Sequence, residues 1–256
     1  MIPLSRPLPL IVYKYRHVSE HSLRLLYPCE LYYAAPREFN DPFELEFSVH
    51  IRPRTKHNKT EHELRALKAK LQDIRQSIIS DIRKQFDTAR LGFFSASEPR
   101  DHPLMWSHYA DGHKGFCVGI HTDAFNPEGI RNVTYSDKPF LIDCVIADDW
   151  EGVRVLPAES KDDLVNVMCH KAEFWSYEKE WRVLGDRASQ ASEYDPSALL
   201  EVILGQRMTP GDHTRVRNAL KRRRGLDPRT LPVKILLARQ KPGTFAMDIV
   251  DEGERI

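Results

Sequence analysis

Three segments concentrate the side chains that can do chemistry: Tyr13-Lys14-Tyr15-Arg16, the stretch from Leu104 to Gly115, and the stretch from Lys171 to Arg182. Neighbouring side chains on a strand point to opposite faces, so Lys14 and Arg16 are expected on one face and Tyr13 and Tyr15 on the other. A basic pair on one face can hold a phosphate. The alternative is that the tyrosines pack while the cations lay their stems on the surface and keep their heads in water.

The second segment carries Trp106, His108 and Tyr109. Trp106 and Tyr109 lie three apart on an expected helix, a spacing that puts them on one face, where they form a stacking wall for a planar ring or pack into the core. His108 is a candidate general base or hydrogen-bond donor, with a purely structural role as the alternative. In the third segment an alternating strand would align Glu178, Glu180 and Arg182 on one face and turn Trp181 and Val183 inward. There the guanidinium orients one glutamate while the other works, and the like charges raise one of the two pKa values; the alternative is a solvated face with an ordinary ion pair. The loop Phe39 to Glu44 adds Asn40 and Asp41 as ligand-binding candidates and Glu44 as an acidic one; Asp148-Asp149 is a further acidic pair. Neither acidic group has the close-spaced partners that a metal site advertises, so no metal is expected.

These residues need elements to position them. Ile11 to Tyr15 reads as a strand, Ser19 caps a helix reaching Leu26 that Pro28 stops, and Leu31 to Ala34 is a second strand. Pro36 to Glu44 is dense in turn formers and reads as an ordered loop. Thr60 and Glu63 form a capping box, and Leu64, Leu67, Leu71, Ile74, Ile78, Ile82 and Phe86 recur at helical spacing. Gly92 to Ser95 is a strand, and Pro103 opens a helix ending near Gly112. Gly115 to His121, Arg131 to Tyr135 and Phe140 to Ile146 read as strands, Lys161 to Lys171 as a helix, and Glu178 to Leu184 and Leu199 to Leu204 as strands again. A helix from Thr209 runs into Lys221 to Arg224, whose cations complement its dipole, with nucleic-acid binding as the minority reading. Strands at Val233 to Ala238 and Phe245 to Val250 close the chain.

Helices and strands are interspersed without a βαβα rhythm or a glycine-rich turn between strand and helix, which predicts α+β, with mixed and antiparallel strands and flanking helices. No linker or repeat divides the 256 residues, so 1–256 is expected to be one domain. Lys and Arg (38) nearly balance Asp and Glu (37), so charge gives no global reason for a nucleic-acid or membrane partner. The four cysteines form no C-x-x-C pair and fit reduced thiols. The first ten residues hold no apolar signal-like run and no stretch approaches about 20 apolar residues, so a cytoplasmic protein without a membrane partner is expected. The signatures G-x-S-x-G, G-x-x-x-x-G-K-[ST], H-E-x-x-H and G-x-G-x-x-G are absent, which removes the usual hydrolase, NTPase and zinc-protease readings.

Taken in order, Y-K-Y-R, F-N-D-P-F-E, L-M-W-S-H-Y-A-D-G-H-K-G-F-C-V-G and Y-E-K-E-W-R resemble the bacterial DUF2971 family, whose function is unassigned, over roughly Tyr13 to Leu220. A fainter resemblance is to ADP-ribosyltransferase-like folds, in which a late-strand glutamate contacts the nicotinamide ribose. That likeness implies NAD as co-substrate, with Lys14 or Arg16 in the first-strand role, Trp106 or Tyr109 stacking, and Glu180 or Glu178 as the glutamate. The expected activity is ADP-ribose transfer to a nucleic-acid or protein acceptor, in a bacterial stress or phage-defence setting. A non-catalytic recognition module and a metal-dependent nuclease using Asp41, Glu44 and Glu180 are the alternatives.

Overall fold

The computed structural model describes residues 6–53, 61–88, 91–149, 152–157, 163–225 and 231–256. The strands are β1 (Ile11–Arg16), β2 (Glu30–Tyr33), β3 (Phe47–Pro53), β4 (Gly92–Ser97), β5 (Phe116–His121), β6 (Ile130–Asn132), β7 (Thr134–Ser136) and β8 (Phe140–Asp149). They continue as β9 (Gly152–Pro157), β10 (His170–Ala172), β11 (Glu180–Gly185), β12 (Gln190–Glu193), β13 (Leu199–Leu204), β14 (Lys234–Gln240) and β15 (Met247–Arg255). The α-helices are α1 (Glu20–Leu23), α2 (Glu61–Thr88), α3 (Pro103–Tyr109), α4 (Asp163–Met168) and α5 (Pro210–Arg224). The architecture is α+β, as the irregular order of elements predicts.

Eight strands form one mixed sheet in the order β15-β14-β13-β5-β1-β4-β11-β6, with only β13 and β14 parallel. Strand β5 sits mid-sheet and is apolar on both faces because both are covered. Val12, Phe94, Val118, Ile120, Trp181, Val183 and Val202 pack on one face under Val216, Ala219 and Leu220 of α5. On the other face Tyr13, Tyr15, Cys117 and Ile203 meet Met105 and Trp106 of α3 and Ala110, which follows it. A third cluster joins Phe93 to Phe86 of α2 and to Phe47, Val49, Ile51, Ile142 and Cys144 of the small β3-β8-β9 sheet. Cys29, Cys117, Cys144 and Cys169 are buried free thiols.

Several boundaries differ from the sequence expectation. Ser19 caps α1 through a box with Ser22, but the helix ends at Leu23, three residues short of Leu26. Lys161 to Lys171 is not one helix: α4 stops at Met168 and Lys171 lies in β10, paired in parallel with β7. Phe245 is exposed and the last strand begins at Met247. The Thr60 capping box and the Asp148-Asp149 side chains lie outside the described residues. Among the basic run, Arg223 is buried, and its guanidinium donates to the carbonyls of Pro196 and Leu231, tying α5 to its neighbours. Among the described residues no helix is long and apolar enough to cross a membrane.

The turn between α3 and β5 is pinned from outside. Gly205 N–H donates to the Gly115 carbonyl and Arg207 N–H to that of His113. A Cβ at Gly205 would press into the His113 carbonyl oxygen and come 2.6 Å from that of Gly115. Both obstacles are backbone, so Gly205→Ala is expected to cost about 1–3 kcal/mol in urea unfolding.

Candidate functional site

Strand β1 pairs with β5 along its whole length but meets β4 at a single register pair, Tyr13 with Ser97. Beyond that point the strands splay. A cavity of about 470 Å³ opens there, with α3 on one side and the Pro36 to Glu44 segment on the other. Its size falls within the range of about 300–1,000 Å³ usual for small-molecule sites.

The floor is a network of charges. Lys171 Nζ lies 2.7 Å from Glu178 Oε2, 3.2 Å from Glu44 Oε1 and 3.3 Å from Glu180 Oε2. Arg182 holds Glu180 through Nε to Oε1 at 2.8 Å and Nη2 to Oε2 at 3.1 Å, and reaches Glu44 Oε2 at 2.7 Å. All five side chains are at most 6% exposed, so their mutual interactions are little screened by solvent. Trp175 and Phe39 cover the cations, their ring centres 4.9 Å from Lys171 Nζ and 4.7 Å from the Arg182 guanidinium carbon.

The two neighbouring glutamates are thereby pushed apart in acidity. Burial disfavours the charge on Glu180, but Arg182 and Lys171 outweigh it and hold this carboxyl well below the usual carboxylate range. Glu178 lacks the guanidinium. Burial and the nearby Glu180 raise its pKa against the pull of Lys171. Its Oε1 accepts the Tyr109 hydroxyl at 2.5 Å. Glu180 is therefore held as an anion, and of the two glutamates Glu178 is the one whose protonation burial favours. Tyr109→Phe removes a hydrogen bond to a buried charged group and is expected to cost about 1.5–3 kcal/mol of unfolding free energy.

The opposite wall carries the basic residues Lys14 and Arg16. Lys14 Nζ donates to the Ser95 carbonyl and lies 5.1 Å from the centre of the Phe94 ring. Arg16 lines the cavity half-buried, and its guanidinium makes no hydrogen bond or ion pair to any described residue. Burial alone lowers its pKa, with no carboxylate to offset it.

Of the residues singled out in the sequence, Tyr13, Lys14, Tyr15, Arg16, Asn40, His108, Tyr109, Glu178, Glu180 and Arg182 all line this cavity. Trp106 does not. It is fully buried, edge-on to Tyr15 at 5.2 Å, with its indole N–H donating to the Arg100 carbonyl, so it supports the wall from behind and offers no ring for stacking. Tyr13 and Tyr15 pack chiefly into the core, the Tyr15 hydroxyl donating to the Pro99 carbonyl. Asp41 also stays out of the cavity, because its carboxylate accepts from the Trp175 indole at 2.7 Å and from Phe43 N–H. Glu178 is not on the strand. It ends a 3₁₀ helix (Glu173–Glu178), and Lys179 in the left-handed region, φ 43°, turns the chain so that Glu178 and Glu180 reach the same lysine. His108 is exposed at the rim, edge-on to Trp175.

Sequence reasoning left Lys171 without a role and gave Glu44 one only in the nuclease reading. Nothing in their local spacing marks them, since Glu44 lies far from Lys171 and Arg182 in the chain. Among the described residues no group of three His, Cys, Asp or Glu side chains is placed to hold a metal ion.

A family model described as a protein of unknown function, DUF2971, matches residues 105–183. The matched stretch holds Tyr109, Lys171, Glu178, Glu180 and Arg182, and leaves Lys14, Arg16 and Glu44 outside it. No curated protein and no solved structure matches the chain.

Proposed function

We propose that the cleft binds a nucleotide through its phosphate and acts on the ligand's glycosidic bond, with NAD as co-substrate and transfer of ADP-ribose to a macromolecule as the reaction. Arg16 is the observation that carries this reading. Its guanidinium faces the cavity with no carboxylate beside it, and a phosphate on it would supply charge-assisted hydrogen bonds in bidentate geometry. Phe39 and Tyr109 line the same cavity.

The carboxylates supply the rest. Breaking the bond between ribose C1′ and the nicotinamide nitrogen sends the electron pair out with the ring and leaves an oxocarbenium-like centre, which the fixed charge of Glu180 stabilises electrostatically. Glu178 takes the proton from the acceptor hydroxyl as its oxygen bonds to C1′. The test is to incubate the protein with labelled NAD and with DNA, RNA and protein acceptors. Nicotinamide release with label on one acceptor class is expected. Neither binding nor turnover of NAD would overturn the reading.

A second reading is favoured by the Arg182 and Lys171 contacts that occupy both oxygens of Glu180. On this reading the cleft is a non-catalytic recognition module, which predicts nucleotide binding without turnover for every acceptor.

A further inference from the structure

The two lysines of the cleft have opposite surroundings. Three carboxylates hold Lys171 as an ammonium, raising its pKa in spite of burial. Lys14 has no carboxylate within ion-pair distance among the described residues; its polar contact is the Ser95 carbonyl, and its other neighbour is the Phe94 ring. The charges that reach it are Arg16 on its own strand and, across the cleft, Glu180, Glu178 and Lys171. Burial, then Arg16, push the amine well below the ordinary lysine range, and the two glutamates only partly oppose this. A lysine that is desolvated and set beside another cation is a nucleophile toward carbonyl carbon.

The splay of β1 from β4 supplies the space. Lys14 and Arg16 both line the cavity, and two residues along a strand are separated by about 7 Å. That backbone spacing puts both basic residues on the wall of one cavity, where a short carbon chain with an aldehyde at one end and a phosphate at the other can meet the two together.

We propose that the Lys14 amine forms an imine with the open-chain aldehyde of a phosphorylated pentose whose phosphate rests on Arg16. The choice of aldehyde rests on the glycosidic chemistry proposed above, because water taking the place of the acceptor at C1′ frees a reducing ribose. In the step, the Nζ lone pair bonds to C1 as the carbonyl π pair moves to oxygen, and one proton passes from the nitrogen to that oxygen, giving a carbinolamine. Water then leaves as the carbon–nitrogen double bond forms, with no change in oxidation state beyond that of ordinary condensation.

The full chain is treated at pH 7 with ribose 5-phosphate and sodium cyanoborohydride, which reduces an imine to a stable amine, and the adducts are mapped by peptide mass spectrometry. Lys14 is expected to carry at least about tenfold more adduct than the exposed Lys114 and Lys241, and inorganic phosphate is expected to suppress it. Ribose without phosphate should label Lys14 at least about tenfold less, and Arg16→Gln should remove the difference between the two sugars. Labelling of Lys14 no greater than that of Lys114, or equal with ribose and ribose 5-phosphate in the unaltered chain, overturns the inference. The trap needs no NAD turnover. Labelled Lys14 without NAD cleavage therefore upholds the lysine chemistry and removes the glycosidic reading, whereas NAD cleavage with unlabelled Lys14 does the reverse.

Discussion

Glu178→Gln is expected to lower NAD turnover by about 10²–10⁴-fold, the usual contribution of a positioned general base, while NAD binding changes by no more than a few-fold. Glutamine keeps the shape and can still accept from Lys171, but it cannot take a proton from the acceptor. The pH profile separates this role from a structural one. Burial and Glu180 raise the Glu178 pKa, so the ionised base is lost on acidification at a pH above the roughly 4.3 of an ordinary glutamate. Turnover of the unaltered protein should fall through that higher pH as the solution is acidified, and the variant's residual rate should lack this limb. A variant that binds NAD and turns it over at the unaltered rate would remove Glu178 from the chemistry.

Lys171→Met is expected to destabilise the fold by about 3–5 kcal/mol at pH 7, the usual cost of removing one partner from a buried ion network. Glu44 and Glu180 would then share Arg182, and Glu178 would have no cation at all. For a chain of this size the loss corresponds to a fall in Tm of roughly 6–20 °C. The pH dependence carries a sign. Glu180 has a depressed pKa in the fold, so in the unaltered protein its contribution is present above the unfolded value of about 4.3 and is lost as pH falls toward the folded one. In the variant the uncompensated carboxylates favour protonation, so its deficit should be largest at neutral pH and shrink on mild acidification. Urea titrations at pH 7 and pH 5 check both statements. An equal deficit at the two pH values would mean that Lys171 acts through packing alone.

Much of the site was legible in the residues, for reasons that differ from one segment to the next. Period-two alternation placed Glu180 and Arg182 on one face with Trp181 turned inward, because a strand buried on that side tolerates no other register. The same rule paired Lys14 with Arg16. It failed at Glu178, where the left-handed turn at Lys179 replaces a strand with a 3₁₀ helix, a change that no apolar pattern announces. Trp106 and Tyr109 were rightly seen as neighbours on one helix. Which of them faces ligand depends on how α3 is rolled against Tyr15, a tertiary matter. Lys171 and Glu44 were invisible as partners for the same reason: the parallel pairing of β10 with β7 and the fold of the Phe39 to Glu44 segment bring them together, and neither is encoded in local spacing.

The account stands most directly on Arg16 as the anchor for a phosphate. The decisive measurement is a calorimetric titration of the unaltered protein and of Arg16→Gln with ADP-ribose at low salt. Saturable one-site binding is expected, weakened about 10–100-fold in the variant, while the variant's stability is little changed because the half-buried guanidinium makes no side-chain hydrogen bond or ion pair to a described residue. Absence of binding to the unaltered protein, or equal affinity in the two proteins, would contradict it.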